Sequence, residues 1–232
     1  MALVKYGGGI IQMTGSIAGN TYARNRYGNY ARARTKPTNP NTDLQQVVRG
    51  AMATLTARWS QVVTAVQRTA WNLYAQNVAM KNRLGESVYL SGINHYLRSN
   101  IPLMQAGKTI VDAGPVIFEL PEKDASFSIS ISEATQLIVC AFDDTAAWCD
   151  EDEAFLHIAQ GVPQNPQRNF FGGPYKMSVP IEGDSVAPPS TGDDVACTML
   201  CTETQKVWVQ ARIQRADGRL SEPFRSNCFC AA

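Results

Sequence analysis

Residues 35–59 divide this chain, and they read Thr35-Lys-Pro-Thr-Asn-Pro-Asn-Thr42 followed by Asp43-Leu-Gln-Gln-Val-Val-Arg-Gly-Ala-Met-Ala-Thr-Leu-Thr-Ala-Arg-Trp59. Proline removes a backbone donor and disfavours helical geometry in the residue before it, so no helix crosses Pro37 and Pro40. Thr42 is a favourable N-cap, and Asp43 places an anion in the first turn. The spacing therefore predicts a first helix over about residues 42–60. Its apolar face consists of Leu44, Val48, Ala51, Leu55 and Trp59.

A second helix is predicted directly after the first, over about residues 64–83. Thr64 and Gln67 have the spacing of a capping box, and apolar residues again recur on one face. A third helical segment is predicted over about residues 91–100. Because the first two helices are joined by a short connection, we expect them to pack antiparallel. The predicted core of this helical part consists of Leu44, Val48, Leu55, Trp59, Trp71 and Tyr74.

Residues 1–40 form a basic arm that is rich in glycine and tyrosine. The arm carries a charge of +6 and contains no acidic residue. Alternation around Gly28-Asn29 predicts a small hairpin or ribbon, which alone would be marginal in water. Three interpretations remain open: an arm that adds to a neighbouring subunit, a ligand for single-stranded nucleic acid, or a flexible tail. These interpretations depend on Tyr22, Arg24, Arg26, Tyr27, Tyr30, Arg32 and Arg34.

From Pro115 onward the apolar periodicity changes from that of helices to that of short strands. Six or seven short strands separated by turns predict an antiparallel β-sandwich. Residues 207–213 and 217–223 resemble the last hairpin of fibronectin type III domains, which implies a fold and no function. The expected fold class is α+β in several domains. They are an extended arm (1–40), a helical hairpin or three-helix segment (41–112) and a fibronectin III-like sandwich (113–232).

Six cysteines lie in the predicted β part. Their spacing does not match the paired motifs of zinc modules, and no histidine stands near them in the required pattern. Buried free thiols are one interpretation for a protein made in the cytosol. Disulfides within or between subunits, formed in an oxidising environment, are the other. The residues concerned are Cys140, Cys149, Cys197, Cys201, Cys228 and Cys230.

The search for catalytic motifs yields none. There is no nucleophile elbow, P-loop or dinucleotide-binding fingerprint. The acidic residues 143–144 and 150–153 do not have EF-hand spacing and are interpreted as a solvated loop. We expect no catalytic, cofactor or metal site. We also expect synthesis in the cytosol and no insertion into a membrane, because neither a secretory signal nor a long apolar run is present.

Several short motifs occur together in a fixed order. They are Gly15-Ser-Ile-Ala-Gly19, Arg24-Asn-Arg-Tyr-Gly28, Thr35-Lys-Pro-x-Asn-Pro-x-Thr42, residues 45–49, Trp59, Gln67-Arg-x-Ala-Trp71, Asn169-Phe-Phe-x-Gly-Pro174 and Ala216-Asp-Gly-Arg-Leu-Ser221. This combination resembles a group of proteins encoded among the structural genes of tailed bacteriophages and prophages. The similarity covers about residues 7–105 and patches of the β part. It implies a virion structural protein without indicating which layer of the particle it occupies.

We therefore expect a non-enzymatic virion subunit at the neck or collar, or on the capsid. Its expected partners are copies of itself and other virion proteins, and its expected location is the virion, after synthesis in the host cytoplasm. The charge is +6 over residues 1–40, +4 over 41–112 and −9 over 113–232, which favours head-to-tail contact between copies. The alternatives are a nucleic-acid-binding protein that uses the arm, or a carbohydrate or host-surface module that uses the sandwich.

Overall fold

The computed structural model describes residues 2–36, 38–82 and 84–232. Within these ranges the chain is a mixed α+β structure with three helices, a large curled sheet and two smaller sheets. The coarse fold class predicted from the sequence is therefore confirmed. Pro37, predicted to exclude a helix, lies outside the described residues, as does Arg83 at the predicted end of the second helix.

The arm forms a four-stranded antiparallel sheet with the order β1-β4-β3-β2. Its strands are β1 (Ala2–Leu3), β2 (Gly15–Ile17), β3 (Asn20–Asn25) and β4 (Gly28–Ala33). The predicted hairpin is present, but its two-residue loop is Arg26-Tyr27 instead of Gly28-Asn29. Gly28 closes this loop with a φ of 114°, a value that glycine adopts without strain.

Three helices follow: α1 (Asp43–Gln61), α2 (Ala65–Asn77) and α3 (Gly92–Gln105), with a small hairpin of β5 (Ala79–Lys81) and β6 (Ser87–Tyr89) between the last two. Thr64 and Gln67 form the predicted capping box, whereas Thr42 stands at the N-cap without a side-chain capping bond. The prediction that α2 continues to residue 83 was wrong, because the chain becomes extended at Val78 and pairs as β5.

The core of the helical part lies between α3 and the other two helices, which contact α3 more extensively than they contact each other. The expected packing of α1 on α2 was therefore wrong. Leu55, Trp71, Tyr74 and Tyr96 are buried in this core, and Trp59 packs against it. The glycine at residue 92 lets α3 start beside the backbone of Trp71, since a Cβ there would meet the Trp71 carbonyl carbon at 2.9 Å.

The prediction that Leu44 and Val48 belong to the helical core was wrong. Leu44 is 57% exposed and Val48 is 41% exposed. Both lie in the N-terminal half of α1, where no residue before Ala51 is buried. The amphipathic pattern identified the apolar face of α1 correctly, but α3 covers this face only from Ala51 onward.

Asp112 joins all three helices after α3 has ended. Its carboxylate accepts hydrogen bonds from Arg58 Nε and Nη2 at 2.8 and 2.6 Å and from the Tyr96 hydroxyl at 2.9 Å. Its backbone carbonyl accepts one from Trp71 Nε1 at 3.0 Å. The guanidinium of Arg58 and the hydroxyl of Tyr96 hold the pKa of the Asp112 carboxyl below its usual range. One carboxylate therefore fixes side chains of α1 and α3 beside α2.

The β part is an eight-stranded curled sheet with the path β10-β9-β13-β14-β7-β8-β12 and β11 added beside β9. The strands are β7 (Ser128–Ser132), β8 (Leu137–Ala141), β9 (Phe155–Gly161), β10 (Tyr175–Met177), β11 (Ile181–Glu182), β12 (Asp194–Ala196), β13 (Lys206–Gln214) and β14 (Phe224–Ala231). All pairings are antiparallel except that of β14 with β7. Apolar side chains from both halves of the path form one buried core, including Ile138, Ile158 and Val209.

Helix α3 is attached to the β part by buried hydrogen bonds. Arg98 donates from Nη1 to the Leu220 carbonyl at 2.6 Å and from Nη2 to the Ser221 carbonyl at 2.5 Å. Gln214 at the end of β13 donates to the Ser99 carbonyl at 3.1 Å. Burial lowers the pKa of Arg98 to about 10, which still leaves it charged at neutral pH. A half-buried cation is thus held by two backbone carbonyls instead of a carboxylate.

Replacing Arg98 with lysine should destabilise the whole chain. Lysine keeps the charge but cannot present two parallel N–H groups, so one carbonyl loses its partner in a buried place. We expect a loss of about 1–3 kcal/mol in the free energy of unfolding, measured by urea denaturation. Arg168→Lys, on the surface, should change it little. Equal stability of the Arg98→Lys variant and the unmodified chain would contradict this account.

Acidification should destabilise the chain through two buried histidines. Burial lowers the pKa of both His95 and His157 from 6.5 to about 4. The unfolded chain therefore binds more protons in this range, and each histidine should remove about 2 kcal/mol of stability between neutral pH and pH 5. His95→Phe, which suits the place beside the Tyr74 ring, should flatten this pH dependence in urea denaturation. An unchanged pH dependence would contradict the assignment.

Candidate assembly surfaces

The arm sheet has no core of its own. None of the described residues from Ala2 to Lys36 is buried, although the sheet has four strands. Ile11 is 91% exposed and Ile17 is 60% exposed. Among the described residues, one salt bridge, from Lys5 Nζ to a Glu86 carboxylate oxygen at 2.5 Å, connects the arm to the loop between β5 and β6. Both faces of the sheet are therefore largely available to another surface.

The seven arm residues singled out in the sequence do not share one face. The register places Tyr22 opposite Ala31 and Tyr30 opposite Ala23, so the two tyrosines lie on opposite faces. Arg24 shares the face of Tyr22, and Arg32 shares the face of Tyr30. The remaining three are outside the paired strands: Arg26 and Tyr27 form the hairpin loop and Arg34 follows β4. Basic and aromatic groups are thus presented on both sides.

The acidic loops of the β part come together at one end. Asp144 accepts a hydrogen bond from the Thr191 backbone at 3.4 Å, and Asp152 accepts one from the Ser185 backbone at 2.8 Å. Asp184 accepts from the backbone of Val186 at 2.7 Å. Segments 143–153 and 184–193 therefore form one acidic end, whose side chains are partly occupied in holding their own loops.

A groove of about 610 Å³ lies between the helices and the outer face of β9, β10 and β13. Its polar lining includes Arg98, His157, Gln210 and Arg212, which all belong to α3 or to these strands. Its apolar lining includes Leu44, Val47, Val48, Ile101, Pro102 and Met177. Leu44 and Val48, expected in the helical core, thus form part of a wall of this groove.

The basic residues of the groove were not singled out from the sequence. Arg212 occupies the outward-facing position between Ala211 and Ile213, which belong to the core. A cation in this position of a predicted inner strand is the one signal that could have indicated a polar outer face. Arg98 gave no local signal, because its two carbonyl partners lie 122 and 123 residues away.

The six cysteines are free thiols in this structure. Cys140 and Cys149 are buried, and burial raises their pKa values to about 12 and about 11. Cys197 and Cys228 are half-buried and pack against the core. The Sγ atoms of Cys201 and Cys230 lie 3.1 Å apart inside the core, which makes this pair a candidate for a disulfide within the chain.

The described part of the chain contains no cluster of three or more histidine, cysteine or acidic side chains with the geometry of a metal site. None of its helices is both long and apolar enough to span a membrane. The surfaces described above are the arm, the acidic end and the groove.

Comparisons with known protein families and with curated proteins gave no match. Among solved structures, a Fn3-like protein from Clostridium thermocellum aligns with a TM-score of 0.28 and 10% sequence identity. The alignment covers 47% of this chain and 92% of that protein. A similarity at this level supports no conclusion about fold or function.

Oxidation should join Cys201 to Cys230. In thiol–disulfide exchange with oxidised glutathione, one thiolate attacks the glutathione disulfide and releases one reduced glutathione. The second cysteine thiolate then attacks the resulting mixed disulfide and releases the second reduced glutathione, which leaves a disulfide between the two cysteines. Burial raises the pKa of Cys230 to about 12, so we expect a slow reaction that speeds up in mild urea.

Peptide mapping by mass spectrometry should find Cys201 linked to Cys230. Cys230→Ser should abolish this link, whereas Cys140→Ser, at another buried thiol, should leave it unchanged. A dominant link between any other two cysteines would contradict the prediction.

Proposed function

We propose that this chain is a non-enzymatic structural subunit of a tailed-phage virion, placed at the neck or collar or on the capsid. It assembles by adding its arm and helices to neighbouring subunits. The proposal joins two separate lines of support: the ordered motifs in the sequence, which imply a virion structural protein, and the construction of the arm. The proposed location of the protein is the virion, and its proposed partners are other copies of the chain and other virion proteins.

The observation that carries this proposal is the four-stranded arm sheet without a buried side chain. A sheet that small is marginally stable unless something covers one of its faces. Ordering some thirty residues costs conformational entropy, which apolar burial must offset. Ile10, Ile11, Ile17 and Tyr27 are the exposed apolar side chains available for that purpose. A neighbouring subunit is the simplest source of the missing surface.

Charge favours the acidic end as the place where the arm of another copy docks. The arm carries +6 and the β part carries −9. Complementary charge directs association between unlike surfaces and disfavours the pairing of two arms. Contact between copies would then be head-to-tail, in line with a subunit that repeats around a ring or shell.

For the β part we propose a fibronectin type III-like sandwich. The strand path favours this, because β7, β8 and β12 follow one another at one end of the path, and β10, β9, β13 and β14, with β11 beside β9, form the rest. The core contains side chains from both groups. Two antiparallel sheets packed over a shared core are typical of that architecture. This fold would act as a rigid body that the arm tethers to its neighbour.

Mass spectrometry of phage particles released from the source cells tests the virion part of the proposal. We expect the chain in purified particles at a copy number well above background proteins. Light scattering on a sizing column tests the assembly part. The full chain should form oligomers, and a form starting at Asn41 should be monomeric, because it lacks the arm.

A matched variant distinguishes the contribution of the arm's charge to assembly from the contribution of its backbone. Changing Arg24, Arg26, Arg32 and Arg34 to glutamine keeps the strands but removes their cations, and should weaken assembly in low salt by about tenfold or more. Full assembly by the form without residues 1–40 would overturn the arm mechanism. Absence of the chain from particles would overturn the virion assignment.

One observation favours nucleic acid as a second candidate partner. Among the described residues, the four arm arginines form no salt bridge, and tyrosines accompany them on both faces. Arginine and tyrosine together bind single strands by phosphate contact and base stacking. Fluorescence anisotropy with a labelled oligonucleotide would show binding that falls steeply with salt. Binding of this kind by monomeric chains would favour this candidate over assembly.

A further inference from the structure

We propose that the groove between the helices and the sheet binds the exposed segment Val116-Ile-Phe-Glu119 of a second copy. This inference rests on the proposed function, since it describes a second contact between the same subunits. It depends on three properties of the molecule: an uncovered apolar wall, cations without carboxylate partners, and a free segment with matching chemistry.

The apolar wall of the groove comes from α1. Leu44 is 57% exposed, Val47 is 53% exposed and Val48 is 41% exposed. These residues are neighbours on one helix face, and Ile101 and Pro102 of α3 line the same groove. Apolar residues grouped in a concave surface with polar groups beside them are typical of a binding site.

The floor of the groove carries cations, and none of its lining residues is acidic. Arg98 and Arg212 line it, and Arg225 lies beside it, with its guanidinium 5.4 Å from the ring centre of the lining residue Tyr175. Among the described residues, none of these three arginines forms a salt bridge. Arg212 Nε is buried without a hydrogen-bond partner.

The Arg212 side chain is half-buried and its guanidinium forms no salt bridge among the described residues, so an incoming carboxylate would be favoured here. The ligand that fits this groove therefore combines apolar side chains with a carboxylate. The chemistry of the groove excludes the basic arm of a neighbour, which would bring further cations into it.

Residues 116–119 have this composition and are uncovered. Val116 is 81% exposed, Ile117 is 46% exposed and Phe118 is 40% exposed. Among the described residues, the carboxylate of Glu119 forms no salt bridge, and its backbone carbonyl accepts a hydrogen bond from Arg219 Nη1 at 3.5 Å. By contrast, the carboxylate of Asp184, which precedes the exposed Val186, is occupied by backbone N–H groups of its own loop.

The segment and the groove are different surfaces of the chain. No residue from 113 to 123 lines the groove, and residues 116–119 lie outside any strand or helix. The segment of one copy can therefore enter the groove of the next while its own groove stays free. Such a contact repeats head-to-tail, and it closes into a ring or continues as a filament according to the rotation between copies.

The first test titrates the full chain into a labelled peptide of residues 115–122 with blocked termini, followed by fluorescence anisotropy. We expect saturable binding. Arg225→Glu should weaken it by about tenfold or more, since it places a carboxylate beside Glu119. Arg168→Glu is the matched control, because Arg168 is also exposed and also stacks on an aromatic ring, that of Phe171. A peptide with Glu119→Lys should also bind at least about tenfold more weakly.

The second test compares two exposed valines in the full chain. Val116→Ser should reduce assembly measured by light scattering, whereas Val186→Ser, 91% exposed in another loop, should not. Absence of saturable peptide binding, equal effects of the two arginine variants, or displacement of the peptide by a peptide of residues 2–36 would overturn the inference.

The two proposals fail in distinguishable ways. Loss of assembly on removal of the arm, with no effect of Val116→Ser, would leave the arm mechanism standing and refute the groove. Peptide binding by a chain that is absent from particles would refute the virion assignment and leave the groove standing.

Discussion

The position of α3 depends on Arg98, whose guanidinium holds two backbone carbonyls of the turn before β14. Guanidinium presents parallel N–H groups in a fixed plane, so this contact sets both the distance and the rotation of the helix on the sheet. The Ser99 carbonyl, bound by Gln214, adds a second fixed point one residue later. Because α1 and α2 pack on α3, the helical core, the groove and the exposed half of α1 all follow from this attachment.

Polar groups thus determine where the apolar surfaces lie. Asp112 brings Arg58 and Tyr96 together, and its carbonyl orients Trp71. Buried polar groups contribute little net stability when they are satisfied and cost much when they are not. Their effect is to specify one arrangement among several that would bury similar apolar area. In this chain that arrangement leaves Arg212 without a salt bridge among the described residues, and it leaves the face of Leu44 exposed beside the contact between α3 and the sheet.

Local features of the sequence were predictable. The capping box of Thr64 and Gln67, the change of periodicity after Pro115 and the presence of an arm hairpin depend on neighbouring residues alone. The exposure of Leu44 and Val48 was not predictable, since an amphipathic pattern identifies an apolar face without showing whether a neighbour covers it. The groove was not predictable from the sequence for the same reason. Its lining comes from α1, α3 and three strands that only the tertiary structure brings together.

The distribution of charge limits how copies can meet. The arm and the groove are both basic, so neither can be the other's partner. If both bind as proposed, each must meet an acidic surface, and these are the acidic end and the segment with Glu119. Every contact then joins unlike surfaces, so two copies close into a two-fold dimer only by exchanging these contacts reciprocally. Without such an exchange the subunit adds copies in one direction, and the number of copies depends on the rotation that the two contacts impose together.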